Sequence, residues 1–223
     1  MIPELSLLCK QIDYQFKDIK YLQQALTHRS VGKGNNERLE FLGDAILSFI
    51  ISDVIYHKFP NIDEGQLSRL RAALVKGDNL ANKARELELG QYLKLGAGEL
   101  KSGGFRRSSI LADAFEALIG AVFVDSDELQ VRKLIMRLFA DEFKNINLER
   151  ANKDPKTELQ EFLQSRGRAV PEYEVVKIEG KSHQQTFTVS CCVESLEQSV
   201  NATGGSRRKA EQAAAKKVLE QFK

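Results

Sequence analysis

Glu37, Glu40 and Asp44 stand in the run NERLEFLGDAIL, residues 36–47, among Leu39, Phe41, Leu42, Ala45, Ile46 and Leu47. Glu40 and Asp44 are four residues apart and Glu37 lies seven before Asp44, so a helix brings all three to one face. Like charges at that spacing repel, and a carboxylate beside an apolar stripe is costly to desolvate. A second pair, Asp113 and Glu116, is three apart and stands among Leu111, Ala114, Phe115, Leu118 and Ile119. Two helices packed side by side would let Glu40, Asp44, Asp113 and Glu116 converge. Such acids are either neutralised by arginines such as Arg38, Arg69 or Arg71, or they hold a cation. An all-oxygen set without His or Cys suits a hard ion, Mg²⁺ or Mn²⁺, rather than zinc. Mg²⁺ keeps several waters and accepts phosphate oxygens, the arrangement for metal-assisted phosphodiester hydrolysis. Spacing alone leaves both outcomes open.

The elements that must position these acids are helical. Asp18 followed by Ile19, Leu22, Ala25 and Leu26 reads as a cap and a short helix, after another short helix from Pro3. The acidic run opens a long helix, apolar nearly all round and stopped by Pro60. Leu67, Leu70 and Leu74 share one face of the next, and Asp78 is placed to cap the one after. Leu93 to Arg107 reads as a loop, Ser108 or Ser109 as the cap of the second acidic helix, and 128–143 as a last helix. The expectation is an all-α domain over 1–147, then a polar linker over 148–154.

After the linker the texture changes. Asp154-Pro155 starts a helix, a strand follows around Tyr173, and Phe187, Val189, Cys191 and Val193 alternate with polar residues in a second. A third strand is expected over 196–202, and Gly204-Gly205 leads into a final helix. The order α-β-β-β-α over 155–223 is a small α+β domain.

Composition sets the outer bounds. The chain has 223 residues, 42% hydrophobic and 29% charged, and a net charge of +2. That charge is too small to indicate a polyanion partner by itself, so a nucleic-acid site must come from local clustering. Cys9, Cys191 and Cys192 lack CxxC spacing, which points to free thiols, a reducing compartment and no zinc site. No run is long and apolar enough to span a bilayer, and the expectation is a soluble cytoplasmic protein. No Ser-His-Asp or Cys-His arrangement stands out, and the Gly-Ala-Gly at 96–98 is not a nucleotide-binding fingerprint.

Two basic clusters are candidate phosphate contacts. Arg106 and Arg107 follow Gly103-Gly104 just before the second acidic helix, whose N-terminus favours anions. Arg207, Arg208 and Lys209 occupy the first turn of the last helix, where they oppose the macrodipole. Docked phosphates would resolve that conflict; a solvated charge run is the alternative.

The run at 36–47 resembles the signature of the ribonuclease III family. The resemblance extends through DEGQLSRLRAALV (63–75) and SGGFRRSSILADAFEALIGAVF (102–123). TELQEFLQ, Pro171, Tyr173 and GGSRRKAEQAAAKKVL resemble the double-stranded RNA-binding domain, with Ala202 standing where that family often has Gly. The likeness implies an endoribonuclease that cleaves double-stranded RNA. It implies that Glu40, Asp44, Asp113 and Glu116 hold Mg²⁺, with Mn²⁺ able to substitute, and carry hydrolysis, with Asp44 and Glu116 catalytic and Glu116 the acid most specific to cleavage. Glu37 and Glu64 would support the same cleft, and Phe41 would pack into the partner subunit of a homodimer. Thr157, Gln160, Glu161 and His183 would meet the minor grooves and Arg207, Arg208 and Lys209 the phosphates, a mode that reads A-form shape. The implied products carry 5′-phosphate and 3′-hydroxyl with a short 3′ overhang, and the implied substrates are ribosomal RNA precursors and structured messenger or small RNAs. No membrane and no small-molecule cofactor are implied. A non-catalytic double-stranded RNA-binding regulator is the alternative, and it need not retain the acids.

Overall fold

Gly43 and Gly120 set the geometry of the first half of the chain. A Cβ on Gly43 would lie 1.8 Å from the Glu116 carbonyl oxygen, and one on Gly120 would lie 2.2 Å from that of Leu39. Two helices therefore cross backbone to backbone at these positions, closer than side chains ordinarily permit. They are α3 (Glu37–Lys58) and α7 (Ser108–Asp125). Both are apolar on most sides: α3 buries Leu39, Leu47, Ile50, Ile51 and Ile55, and α7 buries Phe115, Leu118, Ile119 and Val122 among others. Each large side chain so buried contributes roughly 1.5–3 kcal/mol.

A computed structural model describes residues 4–146, 154–180, 185–194, 196 and 198–222. The chain divides into two compact units, 1–151 and 152–223. In the first, α1 (Leu5–Gln11), α2 (Ile19–Ala25), α4 (Glu64–Leu74), α5 (Gly77–Glu86), α6 (Ala97–Lys101), α8 (Glu128–Leu138) and α9 (Ala140–Lys144) join α3 and α7. Among the described residues this unit has no strand. Asp18 caps α2 by accepting from Lys20 N, and Asp63 and Gln66 form a reciprocal capping box on α4.

Several expected boundaries shift. The stretch 93–107 contains α6, whose five residues are too few to show a periodicity. Residue Arg107, not Ser108 or Ser109, stands at the cap of α7, and Ser108 is already helical, its hydroxyl accepting from Arg85 Nη2 at 2.7 Å. Lys76 precedes α5, so Asp78 lies inside its first turn. The last helix breaks at Phe139, whose ring is fully buried between Phe115 and Phe143.

The second unit runs α10 (Pro155–Gln164), β1 (Glu172–Glu179), β2 (Thr186–Cys192), β3 (Val200–Gly204) and α11 (Arg207–Gln221). The sheet is antiparallel in the order β1-β2-β3, with an irregularity between Val175 and Lys177. Leu159, Leu163, Val189, Cys191, Ala214 and Val218 are buried between the helices and the sheet. The third strand begins later than expected because Leu196 N turns back to Val193 O at 2.9 Å, and pairing with β2 starts at Val200. The expected linker lies outside the described residues except for Asp154, which caps α10.

Candidate active site and RNA contacts

The close crossing of α3 and α7 brings three carboxylates together. Oxygens of Glu40, Asp113 and Glu116 all lie within 4.8 Å of one another, and each side chain is half-buried. Asp44 follows Glu40 by one turn on the outer edge, exposed, with Ser48 Oγ 3.5 Å from its Oδ1. It is close enough to be the strongest charged neighbour of Glu116. Burial, then Asp44, Glu40 and Asp113, pushes the Glu116 carboxyl up to about 8. Burial and the facing Asp113 and Glu37 raise Glu40, with Arg29 opposing. Burial also raises Asp113, against the pull of His28 and Arg29.

Arg29 partly offsets the charge of Glu40 and Asp113, while Arg71 and Arg107 make contacts with other residues. Arg69 folds back over Gly65 of its own helix, and Arg71 Nη1 reaches Ser52 Oγ at 3.4 Å. Arg29 sits 3.8 Å from Glu37, and Arg107 sits 3.1 Å from Glu99. Glu116 has only burial and other acids around it among the causes of its shift. A set of carboxylate oxygens in mutual repulsion is the donor chemistry of a hard divalent cation site.

Glu40 and Asp113 open into a cleft of about 320 Å³ that Asn36, Glu37, Glu99 and Arg107 also line, with His28, Arg29, Ser109 and Ile110 completing the wall. Glu37 therefore lines the cleft beside Glu40. Glu64 does not join it within one chain: it accepts from Ser68 Oγ at 2.7 Å and lines a separate groove with Phe49, Ser52, Asp53 and Tyr56. The reason is helix length, since Ser52 lies about 18 Å along α3 from Glu40 at 1.5 Å per residue. Glu99 was missed because it stands on short α6, where spacing carries no signal. Its nearest guide in the sequence is Gly104, where a Cβ would crowd the Glu99 carboxylate at 2.9 Å. Arg106 and Arg107 diverge. Arg107 faces the acids, whereas Arg106 lies over the Phe105 ring, 5.1 Å from its centre, and lines a different hollow.

In the second unit, Thr157, Gln160 and Glu161 are exposed on one face of α10. Arg207, Arg208 and Lys209 fill the first turn of α11, all exposed and with no acid among them. Arg207 Nε donates to Glu211 at 2.9 Å, and Arg208 lies 3.7 Å from Asp154. Burial would raise Glu211, but hydrogen bonds from Lys156 and Arg207 hold it below the ordinary carboxylate range. His183 lies outside the described residues.

A helical unit built around an acidic cleft, followed by an α-β-β-β-α unit with a basic helix start, is the architecture of a nuclease joined to an RNA-binding module. The family described as "Ribonuclease-III-like" matches residues 18–142, and the "Double-stranded RNA binding motif" matches 155–222. "Ribonuclease 3" of Shewanella baltica is 56% identical over 222 residues, covering 100% of this chain and 98% of the relative. That of Vibrio vulnificus is 56% identical over 215 residues, 96% of each. The crystal structure of the nuclease domain of ribonuclease III from Campylobacter jejuni aligns with a TM-score of 0.61 at 40% identity, over 65% of this chain and 99% of that one. The chain belongs to the ribonuclease III family and is an endoribonuclease acting on double-stranded RNA. No helix among the described residues is long and apolar enough to cross a membrane.

Proposed function

We propose that this chain hydrolyses duplex RNA with Mg²⁺ held by Glu40, Asp44, Asp113 and Glu116, acting as a homodimer in which each subunit cuts one strand. The convergence of Glu40, Asp113 and Glu116 within 4.8 Å supports the metal reading most directly. The chemistry such an ion supplies is activation of a water and stabilisation of charge on the phosphate. Water attacks phosphorus and the P–O3′ bond breaks, leaving a 5′-phosphate and a 3′-hydroxyl. On this reading Asp44 and Glu116 are the catalytic acids, and Glu37 supports the cleft. The Glu116 carboxyl, pushed up to about 8, keeps its proton at neutral pH without metal and releases it when a cation is bound. On this reading Arg107 meets phosphate at the cleft, Arg106 contacts the RNA from its own hollow, and Glu64 acts from the separate groove it lines.

The dimer reading rests on α3. Phe41 is 80% exposed, and Phe49 and Tyr56 of the same helix are also exposed. A large apolar ring held in water at the edge of an active site is most simply an interface residue. A second Campylobacter jejuni nuclease-domain structure, 41% identical with a TM-score of 0.61, is described as showing structural flexibility in a region involved in dimer formation. Thr157, Gln160, Glu161 and His183 would read the minor grooves and Arg207, Arg208 and Lys209 the phosphates. Three free cysteines support a reducing, cytoplasmic setting, where ribosomal RNA precursors and structured messenger RNAs are the substrates expected.

The test is incubation of a duplex RNA with the full chain in Mg²⁺ and in chelator, followed by end analysis. Staggered cuts with 5′-phosphates in Mg²⁺ alone are expected. Binding without cleavage in Mg²⁺ would favour the regulator.

A further inference from the structure

The wall behind the acids contains a polar group with nothing to bond. Asn36 is 2% exposed, and its Nδ2 is buried without a hydrogen-bond partner. It precedes the first turn of α3, where an asparagine side chain ordinarily accepts from the free amides of the helix. Here it makes no such bond, and its φ of −84° and ψ of −12° are already helical. Asn35 does that work instead, its Oδ1 accepting from Glu37 N at 3.1 Å. The Asn36 backbone is fully engaged, donating to Thr27 O at 2.8 Å and accepting from Glu40 N at 2.9 Å. The residue is therefore pinned on both sides while its amide stays unmatched. An unmatched buried donor is costly, and native proteins keep few of them. His28, the other buried polar residue of this wall, differs: its Nδ1 is 2.8 Å from Ser30 Oγ and accepts from Ser30 N at 3.2 Å.

Asn36 lines the same cleft as Glu40 and Asp113, and an amide N–H is the complement of a carboxylate oxygen. We propose that Asn36 is a positioning residue of the metal site: when the acids draw together on a cation, its Nδ2, unpartnered here, donates to a carboxylate oxygen of Glu40 or Asp113 and orients that acid. The proposal rests on the metal reading given above. Ligating carboxylates are commonly held by such donors, and losing one lowers metal affinity by about 10- to 100-fold. The burial of Nδ2 keeps it from the RNA, so its effect falls on metal and not on duplex affinity.

The experiment is a Mn²⁺ titration of the full chain followed by thermal melting, for wild type, Asn36→Leu and Asn36→Ala. Duplex binding in chelator is measured alongside. Leu fills nearly the same volume without a donor, and Ala covers the case in which its shape is not accepted. The expected result is a metal-free melting temperature no lower than wild type for at least one variant, since no existing bond is lost. In that variant the Mn²⁺ midpoint rises about 10- to 100-fold while duplex affinity stays unchanged. A midpoint within threefold of wild type overturns the inference, as does failure of both variants to fold, which would make Asn36 structural. A wild type whose melting does not respond to Mn²⁺ overturns the metal reading itself. A responding wild type with an equally responding variant overturns this inference alone.

Discussion

Replacing Glu116 with Gln should stabilise the metal-free protein even as it destroys the site. The Glu116 carboxyl is pushed up to about 8 from an ordinary 4.5, so the folded chain holds this proton more tightly than the unfolded chain. Below the ordinary value both states are protonated and the group is neutral towards stability. Between that value and the folded one the unfolded chain releases its proton first, and stability falls by about 1.4 kcal/mol per pH unit. At pH 7 the interval is about 2.5 units, which sets a ceiling near 3 kcal/mol, and partial exposure of the side chain reduces this to about 1–3 kcal/mol. Gln keeps the shape and carries no charge. In chelator at pH 7, Glu116→Gln should therefore melt about 3–9 °C above wild type for a chain of this size. At pH 5 the difference should shrink to about 1 kcal/mol or less, because that pH lies only about half a unit above the value at which the unfolded chain begins to release this proton. Added Mg²⁺ should raise the wild-type melting temperature by mass action and the variant's much less. A variant that melts at or below wild type at pH 7, or a difference that is the same at pH 5, would refute the charge repulsion on which this reasoning stands.

Gly43→Ala places a methyl against the Glu116 carbonyl and should force α3 and α7 apart, lowering stability by about 1–3 kcal/mol and abolishing cleavage, as thermal melting and a duplex-cleavage assay would show. Phe41→Ala should leave the melting of the monomer little changed, since the ring is exposed, but should shift sedimentation towards monomer. Replacing Arg207, Arg208 and Lys209 together by Ala should weaken duplex binding for all sequences alike and reduce the slope of log K against log salt by about 2–3, read by titrations at several salt concentrations.

The two-part architecture was legible because its signals are long. The apolar run of α3 and the clean alternation of Phe187, Val189 and Cys191 each span several turns or pairs. That Glu40, Asp113 and Glu116 stand close together was foreshadowed for a related reason, since i,i+3 and i,i+4 spacing of acids on apolar helices is costly unless the charges are used. What spacing does not carry is distance between elements. That α3 and α7 touch at Gly43 and Gly120 follows from two missing side chains whose meaning appears only when the helices are placed together. Glu99 was hidden in five-residue α6, and Arg107 proved to serve Glu99 as well as the helix start. Glu64 was assigned to the cleft from the family resemblance, and within one chain it lines another groove. Nothing in the sequence distinguishes Asn36, and only its burial without a partner marks it out.

The claim that the carboxylate cluster carries hydrolysis is tested most directly by single-turnover cleavage of a labelled duplex by wild type and Glu116→Gln, with duplex binding measured for both in the same buffer. Wild type should cut in Mg²⁺ and not in chelator, while the variant should bind with wild-type affinity and leave the RNA intact. Cleavage by Glu116→Gln at the wild-type rate, or by wild type in chelator, would contradict it.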